Sequence, residues 1–229
     1  MKKLLLSTVF ASMLMAGLAY ARTAHAQTVA VQDAAAPEGL VGKKAGTVMI
    51  RIRAIGVMPQ NSSSSVSAIG GKVDVSNTPG PELDLSYFIT DNIAVEGIAA
   101  TTRHSVSAVN TVIGKVPVGN VWVLPPTVTL QYHFMPQSRF SPYIGAGMTV
   151  AFFYNSQAVG PVVTKFGLEN NVGAAIQAGV DYNISGHWFA NFDVKQIFLS
   201  TKARINGGAV IAKTNLDPLV VGAGIGYRF

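Results

Sequence analysis

Three short motifs stand out in this 229-residue chain: Arg51-Ile52-Arg53, Glu82-Leu83-Asp84 and Asp193-Val194-Lys195. Each sets two ionisable side chains two residues apart, which in a strand puts both on one face. Glu96, Asp181 and Arg228 add single charges in similar apolar surroundings. Two arginines on one strand face need polar company. The chemistry that fits is pairing between strands, with Arg51, Arg53, Lys195 and Arg228 set against Glu82, Asp84, Glu96, Asp181 and Asp193. Buried charges must pair, because an isolated one costs several kcal/mol. A proton- or ion-conducting path through the same residues is the sharper reading, and nothing in the sequence demands it.

Catalysis would need a nucleophile with an activating base. His104, His133 and His187 are the histidines beyond the leader. His104 stands beside Ser105, but neighbours in a strand point to opposite faces, so the two make a poor dyad. No catalytic residue is assigned, and the chain is not expected to be an enzyme. The histidines are scattered without ligand spacing and there is no cysteine, so no metal site, cofactor or disulfide is expected.

The elements that would position these charges are short. Met1-Lys2-Lys3 is basic, residues 4–20 are mostly apolar, and Ala24-His25-Ala26 fits a signal-peptidase site. Residues 1–26 read as a secretory signal peptide, with Gln27 as the first mature residue; a membrane anchor is the alternative. Removing Lys2, Lys3 and Arg22 lowers the formal charge from +6 to +3. That balance, without a dense basic patch interleaved with aromatics, gives no footprint for nucleic acid. Charged residues make up 12% of the chain, about half the usual 25% of a soluble protein. Yet the mature chain has no run of 18 apolar residues, the length a spanning helix needs.

The apolar surface is instead spread over alternating segments. Residues 27–45 read as a flexible lead. From Gly46, "GTVMIRIRAIGVMP" has period two, and so do "PELDLSYFI", "IAVEGIAATTRHS", "PPTVTLQYHF", "VGAAIQAGVDYNI", "HWFANFDVKQIFLSTKARI" and the stretch to Phe229. In "SPYIGAGMTVAFF" the alternation blurs. Residues 60–79, 106–124 and 154–171 read as long loops, the last with a helical turn near 162–168, and Asn206-Gly207-Gly208 marks a fourth. The turns at 90–92, 135–140 and 185–186 are short. Eight antiparallel strands joined by alternating long and short connections predict an all-β, eight-stranded transmembrane β-barrel over 46–229, since closure alone leaves no backbone edge in lipid. A soluble sandwich is the alternative.

The chain resembles the outer membrane protein W (OmpW) family. The resemblance is carried by "YFITDNIAVEGIAATTRH" (87–104), "LPPTVTLQYHF" (124–134), "SPYIGAGM" (141–148), "QAGVDYNI" (177–184), "NFDVKQIFLST" (191–201) and "LDPLVVGAGIGYRF" (216–229). It implies a narrow barrel in the bacterial outer membrane, associated with passage of small hydrophobic molecules. The outward row ending in Tyr227 and Phe229 resembles the signal read by the barrel-assembly machinery. The expected partners are therefore outer-membrane lipid, that machinery and small hydrophobic solutes.

Along the inward faces, polar residues give way to Ile55, Val57, Ile98 and Ala100, with Trp122 and Phe153 near the loops. These six are the expected ligand-binding residues: an apolar cup above a charged plug, with exit sideways into lipid. An inert, plugged barrel whose loops serve structure or adhesion is the other reading. Protein recovered from the cell envelope is expected to have the intact mass of a chain beginning at Gln27; a mass retaining residues 1–26 would mark an uncleaved anchor.

Overall fold

The computed structural model describes residues 39–61, 63–67 and 69–229. The signal peptide and most of the lead lie outside the described residues. Fifteen strands follow in chain order: β1 (Val48–Met58), β2 (Ser63–Val66), β3 (Lys72–Val75), β4 (Thr78–Phe88), β5 (Ile93–Ala100), β6 (Thr102–Thr111), β7 (Gly114–Leu124), β8 (Thr127–His133), β9 (Phe140–Ala158), β10 (Phe166–Leu168), β11 (Asn171–Ser185), β12 (Trp188–Phe198), β13 (Ser200–Ile205), β14 (Val210–Asn215) and β15 (Leu219–Arg228).

Eight of them close a barrel. β1 pairs with β4, β4 with β5, β5 with β8, β8 with β9, β9 with β11, β11 with β12, β12 with β15, and β15 returns to β1, every pair antiparallel. Period two sorts the side chains as the sequence predicts. In β1, Ile50 and Ile52 face outward, Ile52 with 62% of its surface exposed, while Arg51 and Arg53 are fully buried. In β4 the outward row is Leu83, Leu85 and Tyr87, and Glu82, Asp84 and Ser86 are buried. The oily residues are thus outside and the polar ones inside, the reverse of a water-soluble sandwich.

Glycines on the inward face of β15 make room for rings. A Cβ at Gly226 would collide with the Phe189 ring, and one at Gly179 in β11 with the Tyr143 phenol. The short connections gather at one end, the turn end. There Phe229 N–H donates to Val48 O (2.8 Å), and Tyr227 packs edge-on against Trp188 and Phe229.

At the other end, the loop end, the structure corrects the sequence reading. Residues 60–79 are not one loop: β2 pairs with β14, and β3 with β6. Residues 106–124 are the rest of β6 and all of β7, a hairpin that continues the wall onto the far half of β9. Residues 162–168 hold no helical turn; Phe166–Leu168 is β10, paired with β13. The reason is a second core. Val73, Val106, Val118, Val121, Phe166 and Ile205 bury one another above the wall. Serine- and glycine-rich strands can form there because only one of their faces has to be apolar. The expected fourth loop is a tight turn, with Asn206 and Gly207 at φ 52° and 74°, values that Asn and Gly tolerate best.

Replacing Ile52 by lysine is expected to lower the unfolding free energy by about 2–4 kcal/mol, the range for a cation on the lipid face near the midplane. Urea titration of the barrel in lipid vesicles measures it.

Candidate functional site

The lower lumen is filled by side chains that reach across it. Arg51 Nη1 donates to Asp84 Oδ1 (2.9 Å), Ser86 Oγ (2.6 Å) and Glu96 Oε1 (3.3 Å). Its Nη2 and Nε donate to the two oxygens of Asp181 on the opposite wall, at 3.2 and 3.3 Å. Arg53 Nε donates to Glu82 Oε1 (2.9 Å), Nη2 meets Asp84 Oδ2 at 2.8 Å, and Nη1 donates to Asn191 Oδ1 (2.8 Å). Glu96 Oε2 accepts from Thr129, Gln131 and Gln177 at 3.1, 2.8 and 2.8 Å. Tyr143 O–H donates to Asp193 Oδ2 (2.8 Å), and Lys195 Nζ lies 3.3 Å from Glu82 and 3.8 Å from Asp193.

Arg228, expected among the paired cations, sits differently. Its guanidinium lies over the Phe189 ring, 5.5 Å from the centroid, a cation–π contact. Among the described residues no carboxylate stands within 4 Å of it. The backbone of β15 brings it in at the turn end, where Phe189 rather than an acid fills the adjoining space.

The sequence reading missed Lys43. It belongs to the segment read as a flexible lead, yet it is fully buried. Its Nζ donates to Asp181 Oδ2 (2.7 Å), Ser141 Oγ (2.7 Å) and His133 Nδ1 (2.8 Å). His133 therefore carries its proton on Nε2 and donates it to Gln131 Oε1 (3.1 Å). The strap around Lys43 is tied to the turn end. Lys43 N–H donates to Pro136 O, Gln137 Nε2 donates to Lys43 O, and Ala45 N–H donates to Asp91 Oδ1. With Lys43, five buried cations (43, 51, 53, 195, 228) match five buried acids (82, 84, 96, 181, 193). The clue available in the sequence was the imbalance: four cations against five acids leaves one acid short.

Above the Glu82–Lys195 pair the lumen turns apolar. A cavity is walled by Ile55, Val57, Ile98, Ala100, Phe153 and Val220, with Val73, Val106 and Val121 nearer the loop end. Trp122 is not among its walls. Val121 and Val123 on β7 face inward, so Trp122 between them turns outward and stacks on Tyr154, ring centroids 6.3 Å apart. His104 lines the cavity beside Thr102, its same-face neighbour, rather than Ser105. Thr102 Oγ1 is 2.9 Å from Nε2, and Nδ1–H donates to Ser76 O (2.8 Å). Both ring nitrogens are engaged. Burial pushes the His104 pKa below the ordinary value, partly opposed by the bond to Ser76, and the ring stays neutral. His187 stands at the turn-end rim, donating from Nδ1 to Arg228 O (2.6 Å).

Comparison with known proteins agrees with this architecture. The model of the OmpW family matches residues 44–229. The outer-membrane protein y4mB of Sinorhizobium fredii is 45% identical over 184 residues, 79% of each chain. The crystal structure of the outer membrane protein OprG from Pseudomonas aeruginosa superimposes with a TM-score of 0.76 at 29% identity, covering 82% of this chain and 98% of that one. The dibenzothiophene metabolism operon protein PahQ of Pseudomonas aeruginosa is 28% identical over 165 residues, 70% of this chain and 76% of its own.

Lys43→Met is expected to destabilise the barrel by about 3 kcal/mol, the low end of the range for breaking a buried ion pair, because Asp181 loses one of its two cations and keeps Arg51. Lys44→Met, one residue along and exposed, should stay within about 0.5 kcal/mol. Urea unfolding in vesicles compares the two.

Proposed function

The chain belongs to the OmpW family of outer-membrane barrels, and on that premise we propose that it admits small hydrophobic molecules through the apolar cup and releases them sideways into lipid. The observation that carries this reading is the stacking of an apolar cavity on a charge-paired plug. A water-filled pore would present polar walls throughout, and here the wall facing the cavity is mostly apolar, with His104 and a few threonines among the aliphatic side chains. An apolar solute gains roughly 25 cal/mol per Å² of surface it buries there. It gains nothing from the plug below, where every polar group that lets go of its partner is penalised. The solute's path therefore ends at the level of Glu82 and Lys195. The name of PahQ, which ties that relative to an operon for metabolism of an apolar sulfur heterocycle, is consistent with such cargo.

Sideways release needs a weak seam beside the cup, and the end of the β4–β5 ladder is the place we assign to it. The ladder between β4 and β5 ends at Glu82 and Ala100. Above it, Pro79 and Pro81 have no N–H to donate, although both still stand opposite β1. Across the gap, Thr78 Oγ1–H donates to Arg103 O (2.9 Å). Ala100 and Thr102 on the far side line the cavity. The regular β4–β5 ladder is absent at this height, which supports placing the exit here.

The proposal assigns no catalytic role to any residue. It also keeps Tyr227 and Phe229 as an assembly signal, supported by their place in the aromatic cluster of the turn-end rim.

Uptake by cells lacking the native gene tests both parts. Ala100→Phe, which fills the cup, is expected to slow uptake of an apolar aromatic about tenfold, the equivalent of about 1.4 kcal/mol, and to leave a polar solute of equal size unchanged. Pro81→Cys with Thr101→Cys bridges the seam in a chain that has no other cysteine. Oxidation should block apolar uptake and reductant should restore it. Uptake indifferent to both changes would instead support a structural or adhesive barrel.

A further inference from the structure

The outer face of the β13–β14 hairpin carries an unneutralised pair of cations. Lys202 and Lys213 stand directly opposite each other in register and are both exposed. Like charges so placed destabilise a sheet. The nearby acid is spoken for: Glu169 Oε1 accepts from Arg204 Nε (2.8 Å) and Nη2 (2.6 Å). Among the described residues no carboxylate lies within 4 Å of either lysine. The two lysines border a polar groove whose other walls include Asn170, Asn171, Ser200 and Asn215, together with Glu169, whose carboxylate is held by Arg204. Such a groove, rich in amide and hydroxyl groups and flanked by two cations, matches a sugar bearing a phosphate.

Its height in the wall fits that ligand. The outward row of β12 ends at Phe198, an exposed aromatic, and continues through Ser200 to Lys202. Four residues at about 3.3 Å each, tilted about 40°, put Lys202 about 10 Å above Phe198. The head-group layer extends about 5–7 Å beyond the hydrocarbon, so a lysine stem can reach down into it. The surrounding charge has the same sign. Residues 59–79, 101–126, 152–170 and 199–218 together carry seven Lys or Arg and three Asp or Glu, a surplus of four at the loop end.

We propose that Lys202 and Lys213, with the polar groove between β11 and the hairpin, bind the phosphorylated sugar head group of an outer-leaflet glycolipid. The site rests on the reading that the loop end faces outward, and it is independent of solute passage. It would anchor the loop-end sheet to the leaflet around it and offset the repulsion between the two lysines.

The test uses the full barrel in nonionic detergent, with diphosphoryl lipid A and its dephosphorylated form as probes, and native mass spectrometry to count bound lipid. The wild type is expected to retain diphosphoryl lipid A ten- to thirty-fold better than the dephosphorylated form, from about a factor of five per cation. Lys202→Gln with Lys213→Gln should abolish the difference. Both side chains are exposed, so the fold should survive, and far-UV circular dichroism checks it. Lys72→Gln with Lys115→Gln, which removes the same charge elsewhere at the loop end, should leave the preference in place. Equal retention of the two lipids by the wild type would overturn the site. So would a control variant that loses the preference as fully as the groove variant, since that would show diffuse attraction only.

Discussion

Ten ionisable side chains share the lower lumen; nine stand within 4 Å of an opposite charge, and Arg228 rests on the Phe189 ring. Water outside the wall is replaced by hydrocarbon, so the carboxylates of Asp84, Glu96 and Asp181 have only Arg51, Arg53 and Lys43 to answer them. That requirement fixes the register of the barrel. A strand that slipped by one residue would send Arg51 and Arg53 into lipid and Ile50 and Ile52 into the plug, at several kcal/mol for each misplaced charge. Closure of the wall and closure of the network are thus the same condition. Arg51 on β1 grips Asp181 on β11 across the lumen, a contact that exists only if every intervening pair is in register.

The same network sets the boundary of the cup. Glu82 and Lys195 sit at its upper surface and are the charged residues in contact with the cavity. Below them the space is filled by charged and amide side chains whose hydrogen bonds cost more to break than an apolar molecule can repay. Above them the inward positions turn to Ile55, Ile98 and Val220, and the hairpins β6–β7 and β13–β14 carry that apolar lining beyond the membrane wall. With a firm floor below, and with Pro79 and Pro81 lacking N–H donors in the wall beside it, the exit we propose is sideways into lipid.

Much of this was legible in the sequence, because period two is a strong signal when hydrocarbon lies on one side. Arg51, Glu96 and Lys195 are assigned to the inner face by parity alone, and the structure buries them there. Three features were not legible, each for a physical reason. Lys43 lies outside any strand, so no alternation points to it; only the surplus acid hinted at a missing cation. Trp122 was placed by its proximity to the loops rather than by parity, and the inward valines on either side reverse that assignment. β2, β3 and β6–β7 looked like loops because serine, glycine and asparagine are weak strand formers. They pair because Val73, Val106 and Val118 share a core that no local window of sequence displays.

Charge is sorted along the axis of the molecule as sharply as polarity is sorted across its wall. The buried lumen holds equal numbers of cations and acids, where an imbalance would be most heavily penalised. The loop end holds a surplus of cations, where solvent and salt screen them. Of these, Lys202 and Lys213 are held face to face by the backbone register of β13 and β14. A sheet gains nothing internally from that arrangement. What screening leaves of the repulsion would be relieved by an anion from outside, and an outer-membrane barrel meets anions in quantity in the phosphate layer just below this hairpin, within reach of a lysine stem. The lumen and the hairpin therefore obey one rule with different partners: inside the wall the chain must supply its own counter-charge, and outside it the membrane can.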